Sequence, residues 1–310
     1  MRILVTGARG FIGSHLVDHL AAAGHEVVAT GRTAPSVEKV RGAVLDLTDR
    51  AAVDAVVRET KPEIVYHLAA QSLPGVAWKE PQRTIEANVI GTLHLLDAIR
   101  DAKLQPTIEF FGSASEYASD PESNKSIRED HRLEPSNPYA LTKITAEHLC
   151  TLWHRAHGMK IVTVRPFFIV GTRKTGDVTS DFARNIVRIE RGERDHLGVG
   201  NLEAIRDFVD VRDALRAFVL VAERGAAGQA YNVCSGRGLR VRELLDMLIA
   251  KSRAKIEIRP SEAAMRPLDE PIRVGDPGKL RALGWSVEAP LENALGDVLD
   301  YWRERGPDAV

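Results

Sequence analysis

Arg2-Ile3-Leu4-Val5-Thr6-Gly7-Ala8-Arg9-Gly10-Phe11-Ile12-Gly13 reads as strand, turn and helix start. The β-branched run of residues 2 to 6 stops at Gly7. From Phe11 onward Phe11, Ile12, His15, Leu16, His19 and Leu20 recur at helical spacing. The turn has the spacing G-x-x-G-x-x-G. Glycine there permits a tight bend, close approach of backbone to a pyrophosphate, and packing of the helix on the strand. The helix start adds unpaired N–H groups and the positive end of its dipole. Placed between a first strand and a first helix, the triplet predicts dinucleotide binding; the plainer alternative is a helix-start turn with no ligand.

Working outward, a second strand, Glu26 to Thr30, ends in Gly31-Arg32, where a NAD site would usually carry an acid for the ribose hydroxyls. Arg32 and Arg9 together suit a 2′-phosphate and favour NADP over NAD, unless both simply face water. A third strand, Ala43 to Leu45, leads into Asp46-Leu47-Thr48-Asp49 and a helix through Val53, Val56 and Val57. Asp46 either accepts from an adenine amino group or caps its own turn. Residues 63 to 70 form a buried strand whose end, Leu68-Ala69-Ala70, lies beside the cofactor. His67, with no metal partner at helical or strand spacing, is expected as a hydrogen-bonded core histidine. Residues 83 to 100 form an amphipathic helix, with Ile85, Val89, Leu93, Leu96 and Ile99 near one stripe.

Strand 107 to 112 delivers Ser113, and the polar loop 119 to 138 ends in Pro138-Tyr139, where proline suits a first helical turn. Tyr139 and Lys143 then share one helix face. A phenol titrates near ~10, and an adjacent ammonium lowers that value; reaching about 7 takes roughly 4 kcal/mol. The tyrosine so tuned is a general acid or base, although a tyrosine and a lysine four apart are also a common coincidence. The sixth strand is Lys160 to Val164. Regular alternation of strand and helix predicts an α/β fold, a doubly wound parallel sheet with right-handed crossovers. Beyond Arg165-Pro166 the pattern loosens. Residues 1–166 are therefore expected to bind the dinucleotide and residues 167–310 to form mainly a smaller α/β substrate lobe, with part of 206–233 returning to the first domain.

Among 310 residues, 42 basic and 43 acidic side chains leave a net charge of −1, so no basic footprint marks nucleic acid or an anionic membrane as partner. Local groups must hold any anionic ligand. The two cysteines, Cys150 and Cys234, have no metal-ligand spacing and no disulfide framework, which fits a reducing compartment, the cytoplasm by default. No metal is expected. No apolar run approaches the ~18 residues of a membrane span, and no targeting segment is evident.

Gly7-x-x-Gly10-x-x-Gly13, Ser113 and Tyr139-x-x-x-Lys143 together resemble the extended short-chain dehydrogenase/reductase family of nucleotide-sugar enzymes, the NAD-dependent epimerase/dehydratase type with a Rossmann fold. His67-Leu68-Ala69-Ala70, Asn88-Val89-Ile90-Gly91-Thr92, the run from Arg206 to Val211, and Tyr231-Asn232-Val233 are similar to its recurring segments. The stretch from Val199 to Phe208, Tyr231 to Gly236, Met265-Arg266-Pro267, Gly284-Trp285 and Pro290-Leu291-Glu292 are most similar to the branch that reduces GDP-4-dehydro-6-deoxy-mannose.

The resemblance implies that Tyr139 protonates the C4 oxygen as hydride arrives, that Lys143 holds the nicotinamide ribose and lowers the tyrosine pKa, and that Ser113 hydrogen-bonds the same oxygen. It implies cofactor contacts at Gly7, Arg9, Gly10, Phe11, Ile12, Gly13, Arg32, Asp46, Leu47, Leu68, Ala69, Ala70 and Asn88, besides Tyr139 and Lys143. Val178, Arg206, Arg266 and Asp269 join Ser113 on the substrate side. For Arg206 an internal ion pair with Asp207 or Asp210 is the alternative. A homodimer joined through helices 83–100 and 139–157 is implied as well.

Two departures stand out. Phe168 occupies a position where relatives often carry asparagine, and Gly171-Thr172 replaces the usual Gly-Pro, so the loop Thr172 to Thr179 is expected to differ in shape. Dehydration needs a carboxylate two residues after the site hydroxyl. With Ser113 as the hydroxyl that position is Ser115; a shift by one brings in Glu116 but puts Ala114 at the hydroxyl. Ketone reduction with NADPH is therefore favoured, with 4-epimerisation as the alternative and a non-catalytic dinucleotide sensor as a further one that retention of Ser113, Tyr139 and Lys143 speaks against.

Overall fold

Alternating apolar strands and amphipathic helices build the first half of the chain, as seen in a computed structural model that describes residues 1–34, 40–119, 126–262 and 270–309. In order these are β1 (Arg2–Thr6), α1 (Phe11–Ala22), β2 (Glu26–Gly31), β3 (Arg41–Val44), α2 (Arg50–Thr60), β4 (Ile64–His67), α3 (Pro74–Lys79), α4 (Pro81–Ile85), α5 (Gly91–Asp101), β5 (Thr107–Phe111), α6 (Pro138–His157) and β6 (Lys160–Pro166). Then follow β7 (Phe168–Val170), α7 (Val178–Glu190), β8 (Leu197–Val199), β9 (Ile205–Asp210), α8 (Val211–Arg224), β10 (Ala230–Val233), β11 (Gly238–Arg240), α9 (Val241–Ile249), β12 (Ile258–Pro260), β13 (Ile272–Arg273), α10 (Gly278–Ala282) and α11 (Leu291–Arg305).

The main sheet is entirely parallel, ordered β10-β6-β5-β4-β1-β2-β3. Its inner strands β1, β2, β4, β5 and β6 are buried on both faces, whereas the edge strand β3 is largely exposed. One face packs on α1 and α8 through Leu16, Val17, Leu20, Leu215, Phe218 and Val221. The other packs on α2, α5 and α6 through Val53, Val57, Leu95, Leu96, Ile99 and Ala146. Strand order reverses between β1 and β4, and the crevice outside their carboxyl ends is where an open α/β sheet takes a ligand. A second core joins α7, α9 and α11 around Phe182, Leu245, Leu295 and Trp302, beside a small sheet of β11, β9 and β13 with β7 paired to β9. The chain leaves that sheet at β9, crosses α8 and re-enters the main sheet as β10, whose Ala230 pairs with Thr163 of β6.

Three expectations need correction. The buried strand expected over residues 63 to 70 is only Ile64–His67, with Glu63 exposed and Leu68 to Ala70 a half-buried stretch beyond it. The third strand starts earlier, at Arg41, and ends at Val44. The helix expected over residues 83 to 100 is not one regular helix, because a π-turn, Glu86–Ile90, separates α4 from α5. The wider turn accompanies an inward-facing Asn88, whose side chain accepts from Gln71 N at 2.7 Å and donates to Gln71 O at 3.0 Å and Thr142 Oγ1 at 2.9 Å. Amphipathic spacing alone does not reveal this. Among the described residues no helix is long and apolar enough to cross a membrane.

Glu109 of β5 is fully buried, and neither carboxyl oxygen has a hydrogen-bond partner. Burial pushes its carboxyl well above the ordinary range. A folded-state value raised above the unfolded one means that the stability contribution is complete below about pH 4.3 and is lost as pH rises through the folded value. Glu109→Met should therefore raise the thermal midpoint at pH 7 by about 2 °C or more, with a smaller gain at pH 4. Scanning calorimetry at the two pH values checks this; an equal gain at both would show that the titration plays no part.

Candidate active site

The glycine turn closes over the carboxyl end of β1. Gly7 has φ +71°, and a Cβ there would lie 2.7 Å from Ala69 N, while one on Gly13 would lie 2.3 Å from Gly7 O. Neither position has room for a side chain. Thr6 braces the neighbouring strand end, accepting from Ala69 N at 3.2 Å through Oγ1 and from Leu68 N at 3.3 Å through its carbonyl. Gly10 caps α1 without a side-chain acceptor, and no acidic residue occupies its first turn, so the N–H groups from Phe11 onward keep their capacity to bind an anion. The cradle fits a pyrophosphate.

At the end of β2, exposed Arg9 hydrogen-bonds through Nη1 to Thr33 Oγ1, beside exposed Arg32. Thr33 adds a hydroxyl that the sequence reading missed; its place beside Arg9 follows only from the fold. Asp46 accepts from Thr48 N at 2.9 Å and Thr48 Oγ1 at 2.8 Å through one oxygen, bonds that hold its turn and lower its pKa. Leu47 is buried, and its carbonyl meets His94 Nδ1 at 2.8 Å. His67 is a core histidine, with Nδ1 2.8 Å from Thr6 Oγ1 and Nε2 2.9 Å from Thr92 Oγ1.

The end of β5 and the start of α6 bring Ser113, Tyr139 and Lys143 together. Pro138 takes the first helical position, and Asn137 caps the helix by accepting from Ala140 N at 2.9 Å. The side chains of Tyr139 and Ser113 face each other, close enough for the serine hydroxyl to act on the phenol. Lys143, 4 % exposed, donates from Nζ to Phe111 O at 2.6 Å and lies 5.0 Å from the centre of the Phe110 ring. The expected lowering of the tyrosine pKa is not what this packing produces. Burial pushes the Tyr139 phenol up to about 12, against the hydrogen bond from Ser113, while burial brings the Lys143 ammonium down to about 8. Desolvation outweighs the pairing because the lysine spends its short contact on a backbone carbonyl.

Directly beneath lies a cluster that the sequence reading did not assemble. After Ser113 the chain makes a 3₁₀ turn, Ala114–Glu116, in which Ser113 Oγ accepts from Ser115 N at 3.1 Å and Glu116 Oε1 accepts from Ser113 N at 2.6 Å. Glu116 is fully buried and faces Glu147 of α6 and Arg165 of β6. Arg165 forks onto Glu147 (Nε–Oε2 3.0 Å, Nη2–Oε1 2.5 Å), and its Nη1 donates to Tyr117 Oη at 2.8 Å. The acid that the shifted dehydratase register would place beside the substrate is thus turned into the interior, whereas Ser113 meets Tyr139.

Of the substrate-side residues, Val178 opens α7 half-buried, next to Asp177, which caps the helix and pairs with Lys174 at 2.9 Å. Lys174 also sits 5.3 Å from the centre of the Phe11 ring, and Thr172 O meets His15 Nε2 at 3.0 Å, so the loop Thr172 to Thr179 is fastened to α1. Buried Arg206 stacks on Phe168 at 5.5 Å. Asp207 accepts from Ser235 N at 2.7 Å and Gly236 N at 2.9 Å, and Asp210 pairs with Arg212 at 2.6 Å. Arg266 and Asp269 lie outside the described residues.

Residues 3–234 match the model of the NAD dependent epimerase/dehydratase family. The chain is 34 % identical to GDP-6-deoxy-D-mannose reductase of Pseudomonas aeruginosa over 98 % of both chains. It is 29 % identical to UDP-glucose 4-epimerase of Mycolicibacterium smegmatis over 98 % of this chain and 99 % of that one. The solved structure of RMD from P. aeruginosa complexed with NADPH superposes with a TM-score of 0.87 at 32 % identity, covering 98 % of this chain and 100 % of the other. With the glycine cradle at the sheet's switch point, and serine, tyrosine and lysine gathered at the next strand end, the chain belongs to the NAD dependent epimerase/dehydratase family.

Proposed function

We propose that the protein reduces the C4 ketone of a GDP-4-dehydro-6-deoxy-hexose with NADPH. The observation that carries this reading is the orientation of the turn after β5: Ser113 meets Tyr139, while Glu116 is buried against Glu147 and Arg165. Ketone reduction needs a hydroxyl and a proton donor; dehydration needs an accessible carboxylate as well. The likeness to the Pseudomonas reductase supports the GDP-sugar assignment.

Bound NADPH supplies the hydride. Gly7, Gly10 and Gly13 and the N–H groups at the α1 start hold the pyrophosphate; Arg9 and Arg32 flank the 2′-phosphate. Asp46, Leu47, Leu68, Ala69, Ala70 and Asn88 line the remainder of that site. Ser113 donates a hydrogen bond to the ketone oxygen, and Tyr139 gives it a proton. Lys143 carries the positive charge that stabilises the phenolate left behind. Arg206 meets the diphosphate of the sugar nucleotide, with Val178, Arg266 and Asp269 around the substrate in the segment 167–310. The protein works in the cytoplasm, and it works as a homodimer, the second reading supported by exposed Ile85, Ile90, Leu141 and Leu152 on the α4 to α6 surface.

A panel of GDP-, UDP- and dTDP-linked 4-keto-6-deoxy sugars, assayed by NADPH oxidation and repeated with NADH, tests the proposal. Oxidation with the GDP-sugar and NADPH is expected. Turnover of UDP-glucose to UDP-galactose without net NADPH consumption would instead establish the epimerase.

A further inference from the structure

The carboxyls of Glu116 and Glu147 lie on either side of the buried guanidinium of Arg165, 3.7 Å from the first and 2.5 Å from the second, so two buried like charges would compete for one cation unless one carboxyl carries a proton. Glu147 takes both arms of the Arg165 fork, at 3.0 and 2.5 Å, whereas Glu116 lies 3.7 Å from Arg165 Nε and its Oε2 has no hydrogen-bond acceptor or donor that meets ordinary geometry. Glu147 is therefore the ionised member and Glu116 the neutral one. The pocket is tight: a Cβ on Gly112 would lie 2.6 Å from Glu116 Oε1 and 3.3 Å from Glu147 Oε2. The groups facing Glu116 are Glu147, Lys143, Tyr139 and Cys150 from α6, Arg165 from β6, and Ser113 from its own turn.

Counting charges then gives the cluster a function. With Glu116 neutral, Glu147 balances Arg165, and Lys143 is a buried cation that donates to Phe111 O, lies over the Phe110 ring and has His67 and Cys150 as its nearby titratable neighbours. When Glu116 gives up its proton to solvent, its carboxylate becomes the counter-charge of Lys143. We propose that Glu116 is a positioning residue for the reduction site: a carboxyl sharing one proton with Glu147 that fixes Ser113 through its N–H and keeps Lys143 protonated as pH rises. The raised affinity of Glu116 for its proton, caused first by burial and then by the charge of Glu147, agrees with this, as does the upward pull of Glu116 on Lys143. The inference concerns the site assigned to Ser113, Tyr139 and Lys143 and rests on that assignment, not on which sugar is reduced.

The test reads the shared proton directly. Infrared difference spectra between pH 6 and pH 9, recorded in the Glu109→Met background to remove the other buried acid, should show a protonated carboxyl band at pH 6. Glu116→Gln should erase that band while preserving the bond to Ser113 N. Glu147→Gln should erase it too, because Arg165 then has only Glu116 to pair with. In the kcat profile, Glu116→Gln should move the alkaline limb about one pH unit toward acid, since Lys143 has lost its counter-charge. A band that persists in both variants, or is missing from the parent, overturns the shared proton, and an unmoved limb overturns the role toward Lys143. Failure of the sugar assignment alone would leave the infrared result standing.

Discussion

Tyr139→Phe should lower kcat for ketone reduction about 10³-fold, within the range that a positioned general acid supplies, and leave the affinity for NADPH within about threefold. The two readouts separate because the phenol oxygen is the one atom removed. The ring still fills its buried place at the start of α6, and the glycine cradle is untouched. A phenol held at about 12 keeps its proton throughout the neutral range, so Tyr139 enters the reaction as an acid. Lys143, brought down to about 8, is charged below that pH and neutral above it. The wild-type rate should therefore fall through the alkaline range, as the cation that stabilises the phenolate is lost. Stopped-flow reduction and fluorescence titration of NADPH measure the two quantities. An unchanged kcat would falsify the assignment of Tyr139 as proton donor.

Gly13→Ala carries the second large effect, this time on cofactor binding. A Cβ placed 2.3 Å from Gly7 O and 2.9 Å from Ala8 Cα meets backbone on both sides, so no side-chain rotation relieves the clash. Either α1 moves away from β1 or the turn opens, and in both cases the N–H groups leave the pyrophosphate. NADPH affinity should fall at least about 100-fold, equivalent to about 2.7 kcal/mol, and the thermal midpoint should drop as well, since overpacking of this kind costs about 1–3 kcal/mol. Calorimetric titration with NADPH and a thermal scan test both. Binding within about threefold of the parent would show that the helix start does not hold the pyrophosphate.

Much of the fold was legible because its signals are local. The turn from Gly7 to Gly13 needs only nearby backbone, and the parallel sheet follows from alternating strand and helix periods with short links. Pro138 announces the start of α6, and Tyr139 with Lys143 four residues later fixes which side chains share its face. The candidate site was only half visible. Glu116, Glu147 and Arg165 come from three separate elements, with Glu147 and Arg165 18 residues apart, and meet only because β5, α6 and β6 are adjacent in space. The π-turn around Asn88 was not legible because the side it turns inward is polar: Thr84, Asn88 and Thr92 are buried there, while Ile85 of the expected apolar stripe is exposed.

By itself the sequence determined the nucleotide cradle, the parallel sheet and the presence of one serine, one tyrosine and one lysine suited to a hydride-transfer site. Only the tertiary structure decided which hydroxyl and which carboxylate face that site, because a short 3₁₀ turn can present either register. It also decided the electrostatics. Spacing on a helix predicts that Lys143 lowers the tyrosine, yet the surrounding layers bury both groups, and desolvation, which depends on everything packed around a charge, moves the phenol up and the ammonium down.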